Sequence, residues 1–264
     1  MTDQNPLVRY ETQGRVALLT LTNPPANCYS HEMMRDLDGA ILRARFDQDV
    51  DVLVLTGEGE KFFCAGADIE MLKQADPVWK YYFCLHSNET LLRLEHTPKL
   101  VIAALRGHCV GGGLELALAC DLRIGAKGKG QIGLPEAKLG VLPGTGGTQR
   151  LARLLGASKA MELMVESRTF GYEEALELGI LNKLFEGEDF LEQVLDYAKG
   201  LCCPKTAAMA TGHIKRACQT GAGLPLEQGL SLERELQAKL FASQDAGEGL
   251  AAFVEKRPPV FKGK

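Results

Sequence analysis

The fold can be traced outward from one stretch, which runs Gly107-His108-Cys109-Val110-Gly111-Gly112-Gly113-Leu114-Glu115-Leu116-Ala117-Leu118-Ala119-Cys120-Asp121. An apolar run of strand length, 100–105, precedes it, and a second apolar run, 114–119, follows its three glycines. The pattern predicts a strand, a glycine-rich turn and a buried helix that begins near Gly111. Such a turn exposes backbone N–H groups at a helix N-terminus, which favours an oxygen that carries negative charge. Close helix–strand packing, with Glu115 as an ordinary first-turn acid, explains the same residues equally well at this point.

A second turn shares this design. The segment Phe63-Cys64-Ala65-Gly66-Ala67 also follows a predicted strand and precedes a helix, and its bend contains only small residues. Two such turns at one sheet edge would present two N–H groups to a single carbonyl oxygen, which is the arrangement of an oxyanion hole. A further carboxylate, Glu136, follows Leu134-Pro135 in apolar surroundings. Partial burial would raise the pKa of such a glutamate toward neutrality and permit acid or base chemistry.

Composition narrows the class of protein. The chain has 264 residues, 45% of them hydrophobic and 24% charged, with a net charge of −4. These values indicate a globular protein without a global basic field for nucleic acid or anionic lipid. The first ten residues are too polar for a signal peptide, and no apolar run reaches transmembrane length. The eight cysteines lack CxxC spacing, so we expect reduced thiols in a cytoplasmic protein.

Strand and helix patterns alternate up to about residue 150, whereas the last 60 residues show helical patterns only. The predicted strands are 16–21, 51–56, 99–105, 121–126, 131–133 and 181–185. The predicted helices are 30–46, 68–71, 77–96, 148–155, 157–166, 172–178, 189–202, 205–218, 225–241 and 246–255. We therefore expect an α/β core with a helical C-terminal part. GxSxG and HExxH motifs are absent, and no histidine has metal-ligand spacing.

The motifs together resemble the crotonase superfamily, the enoyl-CoA hydratase/isomerase family. The resemblance is carried by 63–69 (FCAGADI), 107–117 (GHCVGGGLELA), 133–136 (GLPE) and 139–151 (LGVLPGTGGTQRL), with further agreement at 247–258. It implies a crotonase-like spiral of ββα units with a helical C-terminal trimerisation region. Residues 1–200 would form the core that holds CoA and the catalytic site, and 201–264 would assemble a homotrimer or a dimer of trimers.

The resemblance also implies roles for individual residues. The backbone N–H groups of Ala67 and Gly112 would form the oxyanion hole for an acyl-CoA thioester. Glu115 and Glu136 would be catalytic, and having both implies hydration, because isomerases of the family typically keep only the acid matching Glu136. The substrate would be bound by Ala26, Ala65, Gly66, Asp68, Ile69 and Gly111. Coenzyme A is then part of the substrate, and no cofactor or metal is expected.

Two departures and two alternatives accompany this interpretation. The interval between the glutamates is one residue longer than in typical hydratases, and the segment 23–28 is short where many relatives have an Ala-Leu-Asn run. One alternative is another CoA lyase or isomerase of the family, for instance a hydratase for branched or dicarboxylic substrates such as 3-methylglutaconyl-CoA. Its pocket would be built from 70–96 and 134–145, with Arg93, Lys99 or Lys138 facing the acyl end. The other is RNA binding, since some relatives bind AU-rich RNA, although the basic residues Lys205, Lys215 and Arg216 are scattered.

Overall fold

The computed structural model describes residues 6–264. Its first half alternates strands and helices. The elements are β1 (Val8–Gln13), β2 (Val16–Leu21), α1 (His31–Phe46), β3 (Val52–Gly57), β4 (Phe62–Cys64), α2 (Ile69–Gln74), α3 (Pro77–Glu95), β5 (Leu100–Leu105), β6 (His108–Val110), α4 (Gly112–Leu118), β7 (Leu122–Ala126), β8 (Ile132–Gly133) and a 3-10 helix (Glu136–Leu139).

The second half is mostly helical. It contains α5 (Gly147–Leu155), α6 (Ala157–Val165), β9 (Thr169–Phe170), α7 (Tyr172–Glu177), β10 (Lys183–Phe185), α8 (Phe190–Gly200), α9 (Ala208–Gly221), α10 (Leu226–Phe241) and α11 (Gln244–Glu255). The expected α/β core with a helical C-terminal part is therefore confirmed. No helix among residues 6–264 has the length and apolar character needed to cross a membrane.

Six strands form the larger sheet, in the order β1-β2-β3-β5-β7-β10. The pairs from β2 onward are parallel, and only β1 runs antiparallel to its neighbour. Strands β2, β3 and β5 are almost entirely buried because helices cover both faces of the sheet. Helix α8 packs on one face, while the main core, including α1, α3 and α4, lies on the other.

A smaller sheet, in the order β4-β6-β8-β9, positions the glycine-rich turns. Strands β4 and β6 pair in parallel through Phe62–His108 and Cys64–Cys109, and β6 pairs in parallel with β8. Parallel strands end at the same sheet edge. The turn after β4, the turn after β6 and the Leu134-Pro135-Glu136 segment after β8 therefore meet at one place.

Several details differ from the sequence prediction. Strands β1, β4, β6 and β9 were not predicted. Val8–Gln13 is largely polar and exposed, and the other three strands are only two or three residues long. Among the aromatic residues of α3, Phe83 is buried, but Tyr81 and Tyr82 are 66% and 62% exposed. All eight cysteines are free, as expected.

Candidate active site

The turn after β4 is shaped by Gly66, whose φ of +96° lies in the region that favours glycine. A Cβ atom at Gly66 would lie 3.0 Å from the backbone nitrogen of Gly112, so the two glycine-rich turns are in direct contact. Asp68 ends the turn by capping α2, where its Oδ1 accepts hydrogen bonds from the backbone N–H groups of Glu70 and Met71.

The turn after β6 depends on three consecutive glycines. Gly111 has a φ of +56° and donates its N–H to Gly133 O at 2.9 Å, which ties the turn to β8. A Cβ at Gly112 would lie 2.3 Å from the hydroxyl oxygen of Tyr29, and one at Gly113 would lie 2.0 Å from Cys64 O. Only glycine fits here, because neighbouring groups occupy the space of any side chain.

The N–H groups of Ala67 and Gly112 are available for a ligand. Both residues line the same cavity, and neither N–H donates to an acceptor within residues 6–264. Gly112 is the first residue of α4, where N–H groups have no partner within the helix. On either side of Ala67, Gly66 O and Asp68 N are bonded to the backbone of Tyr29. Two backbone N–H groups without a protein acceptor within residues 6–264 therefore belong to the wall of one cavity.

The cavity between the turns has a volume of about 130 Å³. It is lined by Tyr29, Ala65, Gly66, Ala67, Ile69, Leu72, Lys80, Val110, Gly111, Gly112, Glu115, Pro135, Glu136, Leu139, Val141, Leu142, Gly144 and Thr145. The structure thus brings together eight of the ten site residues predicted from the sequence. Ala26 and Asp68 lie outside this lining. The carbonyl oxygen of Ala26 accepts a hydrogen bond from the Ala65 N–H, and the side chain of Asp68 caps α2.

Glu115 is almost completely buried, with 2% of its surface exposed. Its Oε1 accepts hydrogen bonds of 2.7 Å from the backbone N–H groups of both Thr145 and Gly147. Burial raises the pKa of Glu115, while these two N–H groups, the Thr145 hydroxyl and Arg150 act in the opposite direction. The bonded carboxylate is therefore fixed in orientation, and its second oxygen has no protein donor within the described chain.

Glu136 is held differently. It begins the 3-10 helix after Pro135, and its Oε1 lies 3.1 Å from the position that a Cβ at Gly111 would occupy. Its Oε2 is buried and lacks a hydrogen-bond partner within residues 6–264. Burial raises the pKa of Glu136 to about 7, and the nearby charge of Glu115 adds to this effect. A carboxyl group with such a pKa is suited to donating a proton near neutral pH.

Three polar lining residues, Tyr29, Lys80 and Thr145, were given no individual role by the sequence analysis, although Lys80 and Thr145 fall within the ranges expected to form the pocket. Lys80 is the only basic residue on the cavity wall, and it forms no salt bridge within the described chain. Its Nζ lies 5.3 Å from the ring centroid of the buried Phe83.

The residues proposed earlier for the acyl end do not reach the cavity. Arg93 pairs with Asp38, and Lys99 Nζ donates to backbone carbonyls of Ala44 and Asp47. Lys138 is exposed on the 3-10 helix. His108 also lies outside the lining, and its Nδ1 accepts a hydrogen bond from the backbone N–H of Gln131.

Residues 6–264 contain no group of three or more His, Cys, Asp or Glu side chains arranged to hold a metal ion. The candidate site consists of two backbone donors and two carboxyl groups around one cavity. This is the arrangement of enzymes that stabilise an oxyanion and move protons on adjoining atoms.

Comparisons with known proteins agree with this class. The sequence model of the enoyl-CoA hydratase/isomerase family matches residues 11–264. A short-chain-enoyl-CoA hydratase from Clostridium acetobutylicum is 35% identical over 248 residues, which is 94% of each chain. A probable enoyl-CoA hydratase from Rhizobium meliloti is 40% identical over 258 residues, 96% of each chain.

Solved structures show the same fold. The crystal structure of an enoyl-CoA hydratase from Geobacillus kaustophilus superposes with a TM-score of 0.96 at 44% identity, covering 99% of this chain and 98% of the other. The crystal structure of an enoyl-CoA hydratase from Bacillus anthracis gives a TM-score of 0.92 at 32% identity, and the match covers 98% of this chain and 100% of the other. The chain belongs to the enoyl-CoA hydratase/isomerase family and has the crotonase fold.

Proposed function

We propose that this protein is an enoyl-CoA hydratase, which adds water reversibly and with syn geometry to a trans-2-enoyl-CoA to give a 3-hydroxyacyl-CoA. The observation that carries the proposal is the meeting of Glu115 and Glu136 with the free N–H groups of Ala67 and Gly112 around one cavity. The hydratase names of the relatives described above support the same reaction.

The proposed mechanism begins with the thioester carbonyl. The N–H groups of Ala67 and Gly112 donate hydrogen bonds to its oxygen and stabilise the negative charge that develops there, which makes the β-carbon electrophilic. Glu115, in its charged form, takes a proton from water as that water attacks the β-carbon. Glu136, in its protonated form, delivers a proton to the α-carbon and collapses the enolate. The chemistry uses only substrate, water and the chain, so we propose no cofactor.

The direct test is a panel of enoyl-CoA thioesters that differ in chain length, branching and charge. Absorbance loss of the conjugated double bond follows hydration, and product analysis establishes where the hydroxyl group is placed. The proposal predicts a 3-hydroxyacyl-CoA from at least one unbranched trans-2-enoyl-CoA. Double-bond migration without hydration of any thioester in the panel would contradict it.

Lys80 favours one second candidate, a hydratase for enoyl-CoA thioesters that carry a carboxylate at the acyl end. An unpaired ammonium group on the wall of a small cavity would stabilise such a charge. Glutaconyl-CoA and crotonyl-CoA would be compared in the wild type and in Lys80→Met, with Lys73→Met as the control because Lys73 is exposed and paired with Glu70. This candidate predicts at least about a tenfold selective loss for glutaconyl-CoA. Equal losses for both would instead indicate a contact with CoA itself.

Assembly and location remain proposals. We propose a homotrimer or a dimer of trimers formed through 201–264, supported by exposed apolar side chains there, among them Leu226, Phe241, Phe253 and Val254. Light scattering after size-exclusion chromatography would measure the mass.

We propose a reducing, cytoplasmic compartment because all eight cysteines are free. RNA binding is not supported, since Lys215 is buried against Asp121.

A further inference from the structure

Tyr29 connects parts of the site that are far apart in sequence. Its backbone N–H donates to Gly66 O at 2.9 Å, and its carbonyl oxygen accepts the N–H of Asp68 at 3.0 Å. These two bonds hold the residues on either side of Ala67. The backbone of Tyr29 therefore fixes the first glycine-rich turn without using the Ala67 N–H group.

The side chain of Tyr29 reaches the second turn. It is 2% exposed, lines the cavity and stacks on Phe83 with ring centroids 6.0 Å apart. A Cβ at Gly112 would lie 2.3 Å from the Tyr29 hydroxyl oxygen, so this oxygen contacts the glycine that supplies the second oxyanion donor. Tyr29 thus contacts both halves of the candidate oxyanion hole, the first turn through its backbone and the second through its side chain.

The Tyr29 hydroxyl also leads to Glu115. It lies 2.9 Å from Thr145 Oγ1, and Thr145 is 3% exposed. The backbone N–H of Thr145 donates to Glu115 Oε1 at 2.7 Å. The hydrogen bond between the two hydroxyls therefore fixes the residue whose N–H holds the Glu115 carboxylate.

We propose that Tyr29 is a positioning residue, whose hydroxyl holds Thr145 so that the Thr145 backbone N–H stays on the Glu115 carboxylate beside the oxyanion hole. This inference rests on the proposed hydratase function, in which Glu115 acts in its charged form. Burial raises the pKa of Tyr29 well above 10, so the phenol keeps its proton and stays neutral in this hydrogen bond. Tyr29 itself exchanges no proton with the substrate.

Several other titratable and charged groups face Tyr29 or Glu115. Glu115 faces Glu136 from the 3-10 helix and Arg150 from α5, and Lys80 from α3 lines the same cavity. Tyr29 faces Cys64 from β4 and Cys84 from α3, in addition to Glu115. Because Tyr29→Phe leaves all of these side chains in place, a changed pH profile would report the lost hydroxyl.

The test is Tyr29→Phe, assayed with the best thioester from the panel. We expect kcat to fall about tenfold and KM to change by less than about twofold, as is typical for loss of a hydrogen bond that supports a charged group. Without the Tyr29 hydroxyl, Thr145 and its N–H group are held less firmly, so Glu115 is less well stabilised as a carboxylate. The acid limb of the pH profile of kcat/KM should therefore move upward by about half a unit.

Thr145 variants make the test specific. Thr145→Val removes the hydroxyl and should reproduce the effect, whereas Thr145→Ser keeps a hydroxyl and should retain most activity. The double variant Tyr29→Phe/Thr145→Val should be no slower than the slower single variant. Tyr172→Phe is the matched control, because Tyr172 is a buried tyrosine that donates to Gly107 O away from the cavity.

The outcomes separate this inference from the proposed function. If the wild type hydrates no thioester, the proposed function fails. If the wild type is active but Tyr29→Phe matches Tyr172→Phe, with an unshifted acid limb, the positioning role is wrong. Additive losses in the double variant would also overturn the proposal that Tyr29 acts through Thr145, even if both single variants are slow.

Discussion

Glu115 and Glu136 face one cavity, but the backbone holds only one of the two carboxyl groups. Glu115 accepts two N–H groups at 2.7 Å, whereas the buried Oε2 of Glu136 has no partner within the described residues. Backbone donors favour the charged form of Glu115, and burial without a partner favours the protonated form of Glu136. This difference in environment is the physical basis for assigning Glu115 as the base and Glu136 as the acid.

Replacing Glu136 by Gln is expected to lower kcat for hydration by about 10²-fold or more, since general acid–base catalysis typically contributes that much. Glutamine keeps the size of the side chain but cannot deliver a proton to the α-carbon. Absorbance loss of the conjugated double bond measures the rate, and circular dichroism checks the fold. A folded Glu136→Gln protein with near-wild-type activity would remove the assignment.

The pH dependence of hydration should reflect the raised pKa of Glu136. Its carboxyl group has a pKa of about 7 and must be protonated to act as the acid, so kcat/KM should fall as pH rises through about 7. A profile measured from pH 5 to 9 in buffers of constant ionic strength tests this. A plateau that extends unchanged to pH 9 would contradict the protonated role of Glu136.

Gly112→Ala should reduce activity by at least about 10²-fold, because removal or displacement of one oxyanion donor typically costs that much. The new methyl group would lie 2.3 Å from the Tyr29 hydroxyl oxygen, so the turn or the tyrosine ring must move. Steady-state kinetics and a melting curve would be measured together. Unchanged kcat/KM would show that Gly112 does not position a donor.

The matched control for this change is Gly39→Ala. Gly39 lies within α1, and a Cβ there would meet no atom within 4 Å. Alanine is favoured over glycine inside a helix by about 1 kcal/mol, so this variant should be fully active and equally or more stable. Loss of activity in Gly39→Ala as well would point to a general effect of the substitutions.

The longer elements could be predicted because their patterns are strong. The apolar strand at 99–105, the Ser30-capped helix and the helix behind Pro77 all occur close to their predicted bounds. The site followed from the residues that carry the family resemblance, and the structure shows why they meet. Parallel pairing of β4, β6 and β8 brings their carboxyl ends to one sheet edge.

The remaining features depend on contacts that no local pattern contains. Tyr29 and Thr145 are 116 positions apart, and their hydrogen bond exists only after the two segments pack together. Lys80 lies on a helix whose aromatic residues gave no clear periodicity, so its direction toward the cavity could not be deduced. The two-residue strand β9 is likewise formed by its partner β8 rather than by its own sequence.

A buried ion pair joins the C-terminal helices to the larger sheet. Lys215 of α9 lies 2.8 Å from Asp121, which precedes β7, and both side chains are less than 10% exposed. Asp121 also accepts hydrogen bonds from Val101 N–H and Gln219. Its pKa is raised by burial, and the charge of Lys215 counteracts that effect.

Lys215→Met should therefore lower the free energy of unfolding by about 3–5 kcal/mol, because it leaves the Asp121 carboxylate buried without a cation. Urea unfolding followed by circular dichroism measures the change. The double variant Lys215→Met/Asp121→Asn should regain part of the loss, since asparagine carries no charge to be compensated. If Lys215→Met is as stable as the wild type, or the second change restores nothing, electrostatic pairing does not secure α9 to the sheet.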